Sequence, residues 1–345
     1  MSELFQDRFE KPELIGEGGM GCVFRVDDPR LGRSIAVKVL HSECSEETKF
    51  KKRFQKEART VGGLEHPSIP PVYEYGETDQ GLPYFALKLL EGENLASLIE
   101  RLRKKDPDAH KRWPFAERVI VALRLCEALE YAHSRQLLHR DIKPENVMLG
   151  RFGEVWLVDW GVAGPPSEPS AEEKEALEKR LTEEPTFMGT LHYAAPEQLA
   201  GTYTEASDQY SLGATLYEFF TLEPAHPGES RMEVMTAVLN HQPKDAEFQP
   251  QSVQGRVPRE ISVLLKRMLQ KKPEDRFPSL SEVKEEFRLI SGGDIRPICP
   301  HTLTKKALFR FGRHLDNHGY WLMPLLLLWL LYPLYSLINL ALSKI

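Results

Sequence analysis

The stretch Leu137–Ala163, LLHRDIKPENVMLGRFGEVWLVDWGVA, constrains the fold of the chain more than any other segment. Short apolar runs, which are typical of buried strands, alternate in it with loops that carry isolated polar side chains. Carboxylate and amide oxygens suit Mg²⁺, and a carboxylate next to a substrate hydroxyl can accept its proton. The stretch therefore predicts a magnesium-dependent site built on strand ends. Its polar side chains are Asp141, Lys143, Asn146 and Asp159.

A glycine-rich segment, LIGEGGMGCVF, lies near the N-terminus. Gly16, Gly18 and Gly21 give the pattern GxGxxG, in which the backbone can bend over a phosphate group and offer its N–H groups. A dinucleotide-binding fold would place a helix after such glycines, whereas here strand-like sequence follows and Lys38 stands 22 residues after Gly16. This spacing favours a nucleoside triphosphate, although Lys38 considered alone would be an ordinary solvated strand lysine.

Apolar periodicity predicts a strand-rich first part and a helical second part. Ser34–Leu40 and Tyr84–Leu90 have strand composition, and between them Glu46–Leu64 spaces its apolar residues on one helical face. The predicted fold class is α+β, with a small sheet that carries one helix and a larger, mainly helical part. Further helical patterns begin after Pro114 and near Ser207, Pro258 and Ser281.

Five motifs, in this order, resemble those of the protein kinase family. They are GEGGMGCV, AVK, HRDIKPEN, DWG and APE, the last at Ala195–Glu197. The resemblance covers Phe9–Ile290 and is greatest to bacterial serine/threonine kinases, judging by GEGGMG and HPSIPPVYEYG. It implies a bilobed domain, with a small lobe over about 9–90 and a large lobe over about 91–290, after an extension over 1–8.

The same resemblance implies ATP as the phosphate donor, Mg²⁺ as the cofactor and serine or threonine hydroxyls of proteins as acceptors. Lys143 in HRDIKPEN and Thr190 in GTLHYAAPE are similar to the serine/threonine branch of the family. A membrane-anchored pseudokinase that binds nucleotide as a scaffold is the alternative, but such proteins commonly lack one of the lysine and aspartate positions present here. A small-molecule phosphotransferase would not be expected to keep GTLHYAAPE, which positions peptide substrates.

Residue roles follow from matching each motif position to the family. Lys38 would hold the α- and β-phosphates of ATP and pair with Glu57 on the small-lobe helix. Asp141 would orient and deprotonate the substrate hydroxyl, with Lys143 near the transferred γ-phosphate. Asp208 would brace the catalytic loop. The residues that would hold Mg²⁺ are Asn146 and Asp159, and those that would form a structural ion pair are Glu197 and Arg276.

The nucleotide site implied by the resemblance draws on both lobes. Leu87 would be the gatekeeper beside the adenine, and the backbone of Lys88 and Leu90 would meet its edge. The side chains that would sandwich the adenine are Ile15, Val23, Ala36 and Met148. The complete nucleotide-binding set is Ile15, Gly16, Glu17, Gly18, Gly19, Met20, Gly21, Cys22, Val23, Ala36, Lys38, Leu87, Lys88, Leu90 and Met148. The side chains of Cys22 and His139 are expected to serve packing.

Trp160 stands in DWG where the family usually has phenylalanine. That phenylalanine packs under the small-lobe helix, and its position marks the active or inactive state. An indole is larger and carries an N–H that needs a partner when it is buried. We therefore expect altered packing against His139 and Val61, with metal binding by Asp159 intact.

The segment Tyr320–Leu342 runs 23 residues without a charge, and about 20 apolar residues span a bilayer. A buried core helix is the alternative, but such helices rarely lack polar residues for so long. The preceding linker over 291–319 is basic, with no acidic residue between Ile295 and Leu315, whereas only Lys344 follows the segment. By the positive-inside rule, the sequence predicts a single-pass protein of the cell membrane with a cytoplasmic domain, a short tail over 343–345 and membrane lipid as a partner.

Composition excludes several other classes of protein. A formal net charge of -6 argues against nucleic acid as a partner. The 4 cysteines are far apart and form no CxxC pair, which fits neither a disulfide framework nor a zinc site. The charged N-terminal segment MSELFQDRFEKPEL indicates no secretory signal.

Arg140, directly before Asp141, predicts control by phosphorylation of the activation segment. In kinases with this arrangement, the arginine receives a phosphate from that segment and the new ion pairs order it. We expect Thr186 first and Thr182 second to be autophosphorylated between kinase molecules that share one membrane. Thr190 is excluded because its position suggests a hydroxyl that contacts the catalytic aspartate. A solvated surface helix without a regulatory role is the alternative for the charged stretch of this segment.

Overall fold

The computed structural model describes residues 5, 8–167, 191–249 and 253–292. The chain divides into two compact units, Met1–Phe287 and Arg288–Ile345. The first unit holds a β-sheet lobe and a helical lobe, as in the bilobed kinase fold. Of the second unit, the described residues 288–292 form the end of the last helix and the turn after it.

Several sequence predictions concern residues outside the described ranges. The predicted membrane span over 320–342 is one of them, as are Thr182, Thr186 and Thr190. Within the described ranges, no helix combines the length and the apolar character needed to cross a membrane.

A five-stranded antiparallel sheet forms the small lobe, in the spatial order β1-β2-β3-β5-β4. The predicted strand Ser34–Leu40 is confirmed, whereas the strand predicted over Tyr84–Leu90 ends at Leu87. After Leu87, the N–H of Lys88 donates to the carbonyl of Pro71 at 3.2 Å. The chain then continues into the large lobe. The strands are β1 (Glu10–Gly18), β2 (Gly21–Asp28), β3 (Arg33–Leu40), β4 (Val72–Glu77) and β5 (Pro83–Leu87).

One long helix packs on this sheet, as the spacing of apolar residues predicts. A short helix, α1 (Ser42–Ser45), precedes it, and α2 (Thr48–Gly62) buries Phe54, Ala58 and Val61. Phe54 packs with Phe85 of β5 at a ring-centroid distance of 5.0 Å. Full burial of such a side chain contributes about 1.5–3 kcal/mol, so this face fixes α2 against the sheet.

The large lobe is mainly helical and carries a small second sheet in the order β6-β7-β8. The helices predicted after Pro114 and near Ser207, Pro258 and Ser281 are all present. The strands are β6 (Gly92–Asn94), β7 (Val147–Gly150) and β8 (Val155–Leu157). The helices are α3 (Leu95–Arg103), α4 (Pro107–Arg112), α5 (Phe115–His133), α6 (Glu205–Thr221), α7 (Arg231–Asn240), α8 (Arg259–Met268) and α9 (Leu280–Ser291).

Three of these helices, α3, α4 and α7, were not predicted. They span 9, 6 and 10 residues. α3 buries Leu95, Leu98, Ile99 and Leu102, a helical spacing that was overlooked, whereas α4 is too short for apolar periodicity to be clear. Their N-caps are the signal that could have identified them. Asn94 accepts from the N–H of Ser97, Asp106 from those of Asp108 and Ala109, and Ser230 from that of Glu233.

The strand register determines which side chains lie together on one face of the small-lobe sheet. Val23 pairs with Lys38 across β2 and β3, and Ala36 pairs with Leu87 across β3 and β5. Cross-strand partners share a face and residues two apart along a strand do too, so all four side chains lie on one face. Gly21 is required where β2 begins, because a Cβ there would lie 2.2 Å from the carbonyl oxygen of Val39.

The opposite face of the sheet is covered by aromatic side chains from the N-terminal segment. Phe5 and Phe9 pack edge-to-face with each other and with Tyr84 of β5. Arg8 between them pairs with Asp28 at 2.9 Å and with Glu74 at 2.7 Å. Residues of the predicted N-terminal extension therefore complete the core of the small lobe.

Candidate active site

The predicted ion pair between Lys38 and Glu57 is present. Lys38 Nζ lies 2.6 Å from Glu57 Oε1, and the Glu57 side chain is only 4% exposed. Burial raises the pKa of Glu57, an effect that the charge and hydrogen bond of Lys38 oppose. Because Lys38 is on β3 and Glu57 on α2, this contact joins the helix to the sheet face that carries Val23 and Ala36.

Gly161 of DWG lies against the same glutamate. A Cβ at Gly161 would lie 3.2 Å from both Glu57 Oε2 and Asp159 Oδ1, so these carboxylates approach each other across the glycine. Arg53, one turn before Glu57 on α2, donates from Nε to the carbonyl of Gly161 at 3.2 Å. The hydrogen bond from Arg53 therefore attaches the DWG segment to α2, while the carboxylates of Asp159 and Glu57 lie close enough to repel each other.

Asp208 braces the catalytic loop, as the family resemblance implied. Its buried carboxylate accepts from the backbone N–H groups of His139 at 2.8 Å and Arg140 at 2.9 Å. His133 Nε2 donates to it at 2.9 Å. Burial alone would raise the pKa of Asp208, but the bond and charge of His133, together with the other contacts, hold it below its usual value. The loop that precedes Asp141 is thus held by an ionised carboxylate.

Two side chains fix the carboxylate of Asp141. Lys143 Nζ lies 2.8 Å from Asp141 Oδ2, and Asn146 Nδ2 donates to the Asp141 carbonyl at 2.7 Å and to Oδ2 at 3.2 Å. The other oxygen, Oδ1, is buried and has no hydrogen-bond partner among the residues described. One oxygen is therefore oriented by the protein, and the second remains able to accept a proton.

Asn146 and Asp159 have the chemistry of a divalent-cation site. The amide nitrogen of Asn146 is bonded to Asp141, so its amide oxygen is the atom left for a cation. Asp159 has a φ of 64°, in the left-handed region that favours glycine. Its negative charge acts on Glu57 and helps to raise the pKa of that group. A cation between these oxygens would offset the repulsion, so the residues fit the metal that the family uses.

The indole of Trp160 is buried beneath this site. Its ring centroid lies 4.6 Å from that of His139 in an edge-to-face arrangement, which confirms the predicted contact, while contact with Val61 stays a prediction. Trp160 Nε1 donates to the carbonyl of Leu157 at 3.1 Å, and His139 Nε2 to that of Val158 at 3.1 Å. The indole N–H thus has a hydrogen-bond acceptor in the backbone just before Asp159.

The implied nucleotide-binding residues come from both lobes. Val23, Ala36 and Leu87 share the sheet face with Lys38, whereas Met148 lies on β7 of the large lobe. Ile15 on β1 is 48% exposed. Because the Lys88 N–H is bonded to Pro71, the group that Lys88 can offer to an adenine edge is its carbonyl. No ligand contact tests these assignments, which stay predictions.

Cys22 lies on β2 directly beside the glycine-rich loop. Burial and the charge of Glu17 raise the pKa of its thiol. It was expected to serve packing, but its sulfur lies 3.8 Å from His41 Nδ1, a polar neighbour that sequence alone does not indicate.

The predicted ion pair between Glu197 and Arg276 is present and bidentate. Arg276 donates to the two carboxylate oxygens at 2.6 and 2.8 Å, and Ser207 Oγ also donates to Glu197 at 2.9 Å. The end of the activation segment is thus tied to α6 and to the turn that carries Arg276.

Arg140 has partners that the sequence did not indicate. Its guanidinium donates to the carbonyl of Pro165 at 2.6 Å and to Ser167 Oγ at 2.9 Å, and it lies over the ring of Tyr203. Gln198 donates to the Arg140 carbonyl at 3.2 Å. These partners are distant in sequence and belong to no motif.

Relative to Glu57→Gln, the wild type is expected to lose stability as pH rises from about 4 to neutral, so the difference in melting temperature should shift in favour of the variant over this range. The folded protein raises the pKa of Glu57, so the stability this group contributes is present below its unfolded pKa and is lost as pH rises through the folded pKa. Glutamine does not titrate and keeps an acceptor for Lys38. Calorimetry of both proteins at the two pH values measures the effect, and a difference that does not change with pH would contradict it.

The chain is similar to known proteins over the residues that form this site. Residues 9–287 match the family described as protein kinase domain. The chain is 33% identical to serine/threonine-protein kinase PknD of Chlamydia pneumoniae over 81% of this chain and 31% of that protein. It is 31% identical to serine/threonine-protein kinase PknB of Mycolicibacterium smegmatis over 86% of this chain and 45% of that protein.

A protein of Streptomyces coelicolor described as a probable serine/threonine-protein kinase is 32% identical over 83% of this chain and 40% of that protein. The chain therefore spans less than half the length of these curated relatives. The family match includes every residue of the site described above, from the glycine-rich loop to Arg276. The chain belongs to the protein kinase family.

Proposed function

We propose that the chain is a serine/threonine protein kinase that transfers the γ-phosphate of ATP to hydroxyl groups of proteins. The observation that carries this proposal is the closed ion pair between Lys38 and Glu57 together with Asp141, whose Oδ2 is bonded to Lys143 and Asn146 while Oδ1 stays free to accept a proton. In this family the ion pair must be closed for phosphoryl transfer, and the catalytic-loop aspartate accepts the proton of the substrate hydroxyl. The relatives named above, which are described as serine/threonine kinases, support the same class of acceptor.

In the proposed reaction, Lys38 binds the α- and β-phosphates while Glu57 holds its ammonium group in position. The substrate hydroxyl oxygen bonds to the γ-phosphorus, the bond from that phosphorus to the β–γ bridging oxygen breaks, and ADP leaves. Asp141 Oδ1 accepts the hydroxyl proton, and Lys143 stabilises charge on the transferred group. A divalent cation, Mg²⁺ in this proposal, would be held by Asn146 and Asp159 and would neutralise phosphate charge.

Incubation of the protein with labelled ATP, Mg²⁺ and model protein substrates tests this function. Acid hydrolysis of the labelled products should release phosphoserine and phosphothreonine. Nucleotide binding without any labelled protein would instead identify the pseudokinase scaffold. Label in phosphotyrosine alone would contradict the assigned branch.

The proposal includes attachment to the cell membrane through the uncharged segment Tyr320–Leu342, with the kinase domain in the cytoplasm. Its support is the length of that segment and the basic linker before it. We expect the full chain to resist extraction from membranes by alkaline carbonate, and a chain ending at Gly293 to be released. Carbonate-soluble full-length protein would contradict the anchor.

Tethering suggests activation by autophosphorylation between neighbouring kinases, at Thr186 and then Thr182. The support within the described residues is Arg140, whose Nε is buried and without a partner there, while its terminal nitrogen contacts Pro165 and Ser167. A phosphate group on one of these threonines that displaced these contacts would form a charge-assisted hydrogen bond with the guanidinium of Arg140. Phosphopeptide mass spectrometry of the active protein checks this, and an unmodified activation segment would contradict it.

A further inference from the structure

Three side chains with the chemistry of metal ligands meet at the base of the glycine-rich loop. Glu17 on β1 and Cys22 on β2 are direct cross-strand partners, and His41 follows the last residue of β3. One ligand atom from each lies within 4.8 Å of the others. Cys22 Sγ and His41 Nδ1 are 3.8 Å apart.

The orientation of His41 suits a metal ligand. Its Nε2 lies 3.0 Å from the carbonyl oxygen of Gly18, which can only accept, so the proton is on Nε2 and the lone pair is on Nδ1. That lone pair belongs to the ring atom nearest Cys22 Sγ. Histidines that bind metals commonly donate their second N–H to a backbone carbonyl in this way. The backbone N–H of His41 also donates to Met20 at 3.0 Å, which fixes the residue beside the loop.

We propose that Glu17, Cys22 and His41 form a site for a zinc ion. Ligands at about 2.3 Å for sulfur and about 2.0 Å for nitrogen around one tetrahedral ion lie roughly 3.5 Å apart, close to the separation of Cys22 and His41. The exposed Glu17 side chain can turn toward the ion, and water would complete the tetrahedron. On binding, the Cys22 thiol loses its proton to solvent and ligates as thiolate.

The mixture of ligands selects the class of metal. Thiolate and imidazole favour zinc over Mg²⁺, which prefers oxygen ligands, so this site would not compete for the cation at Asn146 and Asp159. Cysteine spacing alone did not predict the site because its three ligands come from separate segments of the chain and include a single cysteine. The carboxylate of Glu17 beside the thiol supplies negative charge that a cation would offset.

The ion would tie together the two strands that flank the loop tip Gly18–Gly21 and the residue that follows β3. It would therefore hold the tip relative to the strand that carries Lys38. Because zinc would bind the folded state through two strands and the residue after a third, it should also raise the melting temperature of the protein. Neither effect requires phosphate transfer.

Zinc binding to the full-length, thiol-reduced protein in detergent tests the proposal. Competition with a chromophoric chelator measures affinity, and cobalt substitution reports thiolate ligation through its charge-transfer absorption. We expect one ion per chain and a rise in melting temperature with zinc. Cys22→Ser should abolish the charge-transfer band and weaken zinc binding at least about 100-fold, since losing an outer partner alone costs about 10–100-fold. His41→Gln should weaken binding similarly.

Cys44→Ser is the matched control. Cys44 is also partly exposed and near the loop, with Sγ 4.0 Å from the carbonyl of Gly19, but it belongs to no ligand group within the described ranges. It should bind zinc as the wild type does. Asp141→Asn should also bind zinc fully, which separates this test from the proposed enzyme activity. Wild-type affinity no greater than that of Cys22→Ser, or an equal loss in Cys44→Ser, would overturn the site.

Discussion

Asp141→Asn is expected to lower phosphate transfer at least about 100-fold while leaving ATP affinity within about twofold of the wild type. Asparagine matches aspartate in shape, so Lys143 Nζ, now 2.8 Å from the carboxylate, keeps an acceptor. What the variant loses is a base for the hydroxyl proton, because an amide does not accept one. Proton transfer by a positioned base contributes about 10²–10⁴ in rate, which sets the expected loss.

Single-turnover transfer of labelled phosphate and binding of a fluorescent ATP analogue measure the two quantities separately. Asp108→Asn is the matched control, since it makes the same chemical change at an exposed residue in α4, away from the catalytic loop. It should retain wild-type transfer. Equal labelling by the wild type and Asp141→Asn would show that Oδ1 is not the base and would contradict the proposed mechanism.

The catalytic loop was predictable because its chemistry is local. Asp141, Lys143 and Asn146 lie within six positions, and the contacts found join residues two and five apart in sequence. A loop that short leaves few ways for the side chains to point, so spacing alone placed them together. The same holds for the indole of Trp160, whose need for an acceptor was predicted and which finds one three residues back.

Contacts between distant segments were predictable only where the family resemblance supplied them, as for Lys38 with Glu57. Arg53 reaches the carbonyl of Gly161 across 108 positions, and His133 reaches Asp208 across 75. Each is one polar residue on an otherwise ordinary helix. Which polar residue meets a distant segment depends on tertiary packing, and neither periodicity nor spacing in the sequence indicates that residue.

Cys22 illustrates the same limit. Its position in GEGGMGCV was recognised, but its neighbour His41 is reached only because β2 and β3 are antiparallel and the chain turns at the end of β3. The strand register had to be known before a thiol and an imidazole could be placed together. Pairing of residues across a sheet depends on turn geometry, which the sequence pattern here did not specify.

Arg276→Ala is expected to lower the free energy of unfolding by about 3–5 kcal/mol. The arginine is 2% exposed and donates to both oxygens of Glu197, at 2.6 and 2.8 Å. It also donates to backbone carbonyls in the turn and in α6, and its guanidinium lies over the ring of Tyr210. These carbonyls are those of Gln270, Ala206 and Lys271.

Removing this side chain leaves a mostly buried carboxylate with Ser207 as its remaining hydrogen-bond donor among the described residues, and it deprives three carbonyls of a partner. Desolvated charge without a partner is costly, which is why breaking a buried pair destabilises far more than forming it stabilises. Thermal unfolding of the full chain in detergent measures the loss, and a fall of roughly 10 °C is expected.

Arg124→Ala is the control that separates burial from charge. Arg124 pairs with Glu127 at 3.0 Å on the surface of α5, and both side chains are more than a third exposed. An exposed pair of this kind contributes at most about 1 kcal/mol, because water solvates either partner when the other is removed. The two variants delete the same side chain from an arginine–glutamate pair, so their difference reports the environment. If both variants lost the same stability, burial of the Arg276–Glu197 pair would not contribute to the stability of the fold as proposed.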